Sequence, residues 1–143
     1  MSVIQGVPLS FQLEVLLGTH DFTASTGDTI KMALFDDASH NKDTTAYSTT
    51  SEITGTGYSA GGATLTSVTP VLDGLVAICD FADPSWTTAT FSANSALIYN
   101  SSKSDKAILV LDLGGTKSVT AGTFTVNIPT ADQVSAILRI RRD

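Results

Sequence analysis

Cysteine is almost missing from this chain. Cys79 is the only one, so no intrachain disulfide forms and folding needs no oxidising compartment. Charge is scarce as well: Asp, Glu, Lys and Arg make up 15% of 143 residues, against about a quarter in an average domain. Ser and Thr take the place of the missing charges, at roughly a quarter of the sequence. That exchange favours strands, because Thr suits a pleated, half-exposed surface better than long charged side chains do. Basic residues are outnumbered, giving a net charge of −6 and a pI of about 4.6. An acidic surface repels phosphate backbones, which argues against nucleic acid as a partner. No stretch reaches the roughly 18 apolar residues of a membrane span. No basic segment precedes an apolar one at the N-terminus, so the reading expects no signal peptide and synthesis in the cytoplasm.

What is present fits one β-rich domain over residues 1–143, with 1–22 as an N-terminal arm or helix. Leu9, Leu13, Leu16 and Leu17 recur at i, i+4, i+7 and i+8, which predicts a short helix with one apolar face that needs something to pack on. Ser10 is placed to cap its start and Gly18 to stop it. After that, alternation predicts strands. Ile30, Met32 and Leu34 alternate with Thr29, Lys31 and Ala33; Phe124, Val126 and Ile128 alternate with Thr123, Thr125 and Asn127; each set predicts one buried and one wet face. Leu138 and Ile140 alternate with Arg139 and Arg141 in a last strand, and Ala96–Tyr99 reads as a further short one. Leu75–Cys79 and Ala107–Leu111 are apolar without alternation, as central strands buried on both faces are. Asp73-Gly74, Gly114-Gly115 and Ala121-Gly122 predict hairpin turns between strands. Asp36–Thr50 is a long polar excursion, and Gly55–Gly62 a glycine-rich loop around Tyr58. Seven or eight short strands predict a mainly β fold, an antiparallel β-sandwich or jelly-roll-like barrel with one short N-terminal helix.

Motifs that would carry chemistry are weak. Asp112-Leu113-Gly114-Gly115-Thr116-Lys117 resembles the phosphate loop of sugar kinases in the actin-like ATPase family, where backbone N–H groups approach phosphate. In that family the loop opens a much longer chain, whereas only residues 118–143 follow it here, so a tight Gly-Gly hairpin is the reading adopted. Gly55–Gly62 has Gly-x-Gly-x-x-x-Gly spacing and no strand-to-helix context, so it is no dinucleotide fingerprint. The two histidines do not complete a triad: His20 is merely adjacent to Asp21, and His40 sits among Ser39, Asn41 and Asp43 in what reads as a solvated loop. Asp36, Asp37 and Asp43 do not match an EF-hand loop, and no paired-ligand zinc spacing occurs. No catalytic residue, cofactor or metal is assigned.

Candidate contact residues remain. Leu13, Leu16 and Leu17 lie on the helix face. Tyr47, Tyr58 and Trp86 fall in loops or at strand edges, as core residues, interface anchors or sugar-stacking platforms. Arg139, Arg141 and Arg142 form the one basic cluster, either a solvated end or a grip on an acidic partner.

Three blocks carry a family resemblance. The first is Thr44-Thr45-Ala46-Tyr47-Ser48-Thr49-Thr50-Ser51-Glu52-Ile53-Thr54-Gly55-Thr56-Gly57-Tyr58-Ser59-Ala60-Gly61-Gly62. The second is Phe81-Ala82-Asp83-Pro84-Ser85-Trp86 followed by Ala96-Leu97-Ile98-Tyr99-Asn100, and the third is Ala107–Gly115 with Gly122-Thr123-Phe124-Thr125-Val126. With Phe11–Phe22 and Gly27–Phe35, they make nearly the whole chain similar, in order, to small virion structural proteins of tailed phages, some of them labelled tail or fibre proteins. The chain departs from that pattern at Asn94-Ser95, where a basic residue and Gly often stand. The resemblance implies a non-enzymatic virion protein, with capsid decoration (cement) as the specific expectation. Its partner would be the major capsid protein of the same phage, with a homo-oligomer, a trimer by preference, on the capsid exterior. It implies no nucleic-acid or membrane partner. A tail, neck or fibre component and a carbohydrate-binding adsorption module are the alternatives.

Overall fold

The computed structural model describes residues 3–141. It is mainly β, with helix α1 at Leu9–Leu16 and seven strands: β1 Ile30–Phe35, β2 Ala63–Thr64, β3 Ser67–Asp73, β4 Val76–Phe81, β5 Ser85–Asn100, β6 Lys106–Thr125 and β7 Leu138–Arg141. They form two antiparallel sheets, a larger one in the order β2-β1-β5-β6 and a smaller one in the order β3-β4-β7. The result is sandwich-like and does not close into a barrel.

The main core lies between the sheets. Ile30, Met32 and Leu34 of β1, Ile98 of β5 and Ile108 of β6 meet Cys79 and Phe81 of β4 and Phe11 of α1. Trp86, Phe91 and Phe124 extend this core along the far half of the β5–β6 pair. The opposite face of the larger sheet is covered too. Ala33, Phe35, Leu97, Tyr99, Ala107 and Val110 form a second cluster beneath Val3 and Tyr47. β1 therefore has no wet face: all its residues except Lys31 are buried, because the Asp36–Gly62 excursion folds back over it. His40 belongs to this cover. It is buried and packs on the Phe35 ring with centroids 4.1 Å apart, so the loop around it is not the solvated one expected.

β5 and β6 make one long hairpin turning at residues 101–105, and Ala96–Tyr99 is only its inner end. Neither Gly114-Gly115 nor Ala121-Gly122 is a hairpin turn. Ser95 pairs with Asp112 and Ala93 with Lys117, so Asn94 alone faces residues 113–116 and the glycines form a wide bulge. A second bulge leaves Thr120 and Ala121 between the Phe91–Val119 and Ala89–Gly122 pairs. Asp73-Gly74 does turn a hairpin, joining β3 to β4. Of the two unalternating apolar runs, Leu75–Cys79 supplies the central strand of the smaller sheet, while Leu75 itself is exposed in the turn. Ala107–Leu111 lies instead in the edge strand of the larger sheet. That edge is protected by short bridges from Gly6 to Val110 and from Ala46 to Lys106. The N-terminal segment is thus no free arm: Gly6 exchanges both backbone hydrogen bonds with Val110, and the Leu9 N–H donates to the Lys42 carbonyl.

The glycine-rich loop is held by close backbone approach. At Gly62, with φ +74°, a Cβ would lie 1.8 Å from the Met32 carbonyl oxygen, so only glycine fits.

Candidate functional site

The sequence Leu-Ser-Phe-Gln-Leu-Glu-Val-Leu winds into α1 directly after Pro8, whose extended backbone precedes the first turn. No side chain caps that start. Ser10 lies inside the helix, and its Oγ is buried without a hydrogen-bond partner. The end is as expected: the Gly18 N–H donates to the Val15 carbonyl and the Thr19 N–H to the Glu14 carbonyl, a Schellman closure with Gly18 at φ +66°.

The helix buries the side opposite to its leucines. Phe11 and Glu14 are its buried residues, whereas Leu9, Leu13, Leu16 and Leu17 are 64%, 58%, 85% and 70% exposed. Two interactions set this orientation. Phe11 lies against the His20 ring at 5.1 Å and edge-on to Phe22 at 6.2 Å, and Phe22 meets Phe81 of the core. Glu14 is drawn inward by two cationic or polar partners, His20 Nε2 at 2.8 Å and Lys106 Nζ at 3.0 Å. The Asn100 amide fixes the ring's tautomer. Its Oδ1 accepts from the Ser102 N–H, so its Nδ2 donates to Asp28 Oδ2 at 2.8 Å and to His20 Nδ1 at 2.9 Å. Nδ1 is then an acceptor, and the ring proton sits on Nε2, donating to Glu14. Turning the leucines inward would separate Glu14 from His20 and Lys106 and expose Phe11.

Beside this leucine ridge the two layers part. Phe11 and Val15 of α1 face Ala77 and Cys79 of β4 and Leu138 and Ile140 of β7 across a mainly apolar groove of about 660 Å³. Leu72, Ala77 and Ile140 are aligned across the three strands, and the two outer residues are 78% and 61% exposed. Cys79 is 8% exposed, and burial, with Asp80 nearby, pushes its thiol up to about 12. The sulfur is protonated and inert as a nucleophile.

The remaining expected contact residues are elsewhere. Trp86 is buried among Tyr58, Phe91 and Phe124. Tyr47 stacks on Tyr99 at 4.5 Å and 11°. Glu52 gathers the loop tyrosines: Tyr47 Oη donates to Oε2 at 2.6 Å, and Tyr58 Oη and the Gly61 N–H donate to Oε1 at 2.7 Å. Burial first, then the adjacent carboxylate, raises the pKa of both tyrosines well above the phenol range. Trp86 is buried and the two tyrosines are half-buried, with their hydroxyls committed to Glu52 and one ring face of Tyr47 taken by Tyr99. Arg139 is tied to the Gln133 and Val134 carbonyls, Arg141 is exposed at the end of β7, and Arg142 lies outside the described residues. The candidates therefore fall into two groups: Tyr47, Tyr58 and Trp86, linked through Glu52 and ring contacts, and the exposed Leu13, Leu16 and Leu17, which Leu9 joins.

His20 and His40 are each enclosed by structural partners, and the Gly114-Gly115 bulge opens no helix. Among the described residues, no three His, Cys, Asp or Glu side chains are grouped to hold a metal ion. No described helix is long and apolar enough to cross a membrane. What the arrangement offers is apolar contact.

No protein-family model, curated protein or solved structure matches this chain. The three sequence blocks quoted for the resemblance meet in space, through the Tyr47–Tyr99 stack, the hydrogen bond from the Ala107 N–H to the Thr45 carbonyl, and the Tyr58–Trp86–Phe124 cluster. They build much of the framework of the fold.

Proposed function

We propose that this chain is a non-enzymatic structural protein of a tailed-phage virion, and specifically a decoration protein that binds the major capsid protein on the outside of the shell and stabilises it. Such a protein works by many modest contacts repeated around symmetry axes. The observation that carries the reading is the uncharged leucine ridge standing on a β body whose buried polar groups are almost all paired internally. A surface of that kind serves attachment, not turnover. The acidic, Thr-rich exterior fits a shell surface kept soluble and away from packaged DNA. Synthesis in the bacterial cytoplasm and assembly as a homo-oligomer, a trimer by preference, complete the proposal. A carbohydrate-binding role draws no support from Trp86, Tyr58 or Tyr47, which face inward.

Quantitative mass spectrometry of purified virions tests this. The proposal expects one copy per major capsid subunit, or a simple fraction such as one third. A dozen or fewer copies per particle would move the protein to the tail, neck or fibre base.

A further inference from the structure

We infer that the ridge of α1 seats in the groove of a second copy of this chain. The inference names the surface behind the homo-oligomer proposed above, but it stands on separate observations. The first is area. Leu9, Leu13, Leu16 and Leu17, all more than half exposed, present on the order of 500 Å² of apolar surface, at the upper end of what monomers leave open. Together with the groove and its exposed lips, Leu72 and Ile140, the face approaches the roughly 800 Å² per partner of a standard interface.

Complementarity is the second. A convex row of leucines and a concave apolar groove lie side by side on one chain, and Leu16 belongs to both. A knob next to a hole of the same chemistry is what a self-association surface requires. Applied mutually it closes a two-fold pair, and applied head to tail it closes a ring. Charge is the third. Each copy carries −6, so two copies repel wherever their charges face each other. The ridge avoids this, because the only charged residue of α1, Glu14, is turned inward and paired with His20 and Lys106. The groove's charged lining residue, Arg139, is bound to backbone carbonyls.

The test uses the full chain and two variants at exposed positions, Leu13→Glu with Leu17→Glu on the ridge and Ile140→Glu at the groove. Sedimentation velocity of the unaltered chain should show a dimer or trimer, strengthened by added salt as like-charge repulsion is screened. Each variant should weaken association by roughly 100-fold or more, from the loss of apolar burial and the added charge. Circular dichroism melts should be close to those of the unaltered chain. Mixing the two variants should restore a dimer, because one intact ridge then meets one intact groove. A monomer at about 100 µM, or variants that associate normally, would overturn the inference; so would a failure of the mixture to pair. If the unaltered chain is a monomer and the ridge variant instead stops binding shells, the ridge belongs to the capsid protein. That result would leave the decoration reading standing and remove this one, whereas a low virion copy number would do the reverse.

Discussion

The two sheets of this protein solve the same problem to different extents. In the larger sheet, β1 and the inner halves of β5 and β6 are covered on both faces, by the core on one side and by the 36–62 excursion on the other. In the smaller sheet both faces are covered only in part: Cys79 and Phe81 enter the core on one and Val76 and Ile78 lie beneath Ala136 on the other, while Val68, Val71, Leu72 and Ile140 remain open. The ridge of α1 flanks that open side. Completeness of burial, rather than hydrophobicity, separates framework from exposed apolar surface: leucines occur in both, and only their cover differs.

The same substitution on each side should break the comparison most visibly. Leu97→Ala removes a fully buried side chain and should cost about 2–5 kcal/mol in urea unfolding. Leu13→Ala, at 58% exposure on a helix, should change stability by less than about 1 kcal/mol. Equal losses would mean the ridge is covered within the monomer. Glu14→Ala comes next. It leaves His20 without its acceptor, while the Lys106 share is screened because that side chain is 40% exposed. A loss of about 1–3 kcal/mol follows, with faster hydrogen exchange in α1 than in β1 or β5.

Acid should act gently, and first on the covered side. Burial lowers the pKa of His40, with Asp37 opposing, so its neutral form is the folded one. The unfolded chain binds that proton more readily, so stability held above pH ~6.5 declines as pH falls below it. Desolvation pushes Asp28 up, but the Asn100 amide, the Asp21 N–H and Lys103 outweigh it and hold the carboxyl below 3.8. Asp37 is likewise lowered: Ser51, Ser39 and His40 overcome its desolvation. These carboxylates stabilise the fold above their unfolded pKa, and the benefit is lost as pH drops further. Melting temperatures from pH 8 to 3 should fall in two stages, and His40→Gln should erase the first.

Much of the fold was legible in the sequence, and the misreadings have physical causes. Alternation located β1, β7 and the end of β6, although β1 is covered on both faces, β7 is largely open and β6 stops at Thr125, short of Asn127 and Ile128. It did not reveal the cover over β1, which comes from a polar excursion whose inward residues, His40 and Tyr47, are not apolar markers. Gly114-Gly115 and Ala121-Gly122 looked like turns because a bulge and a turn both use positive φ; what distinguishes them is whether the partner strand continues, and Asn94 and Thr90 do continue it. The leucine spacing located the helix and its apolar face, and Leu13, Leu16 and Leu17 stand among the candidate contact residues, but the period alone does not say that this face is left exposed. The counter-signal was Glu14, a carboxylate at the opposite phase of the helix whose partners, His20 and Lys106, are distant in sequence.

Cys79, the chain's single thiol, lies along the groove where α1 faces the smaller sheet. Its residue is 8% exposed, so a reagent reaches the sulfur fully, and a thiolate forms there readily, when those two layers move further apart. The rate of its modification therefore measures how often the groove opens, uncontaminated by any other sulfhydryl. The protein carries its own clock for the motion of this groove, and a seated neighbour would slow it.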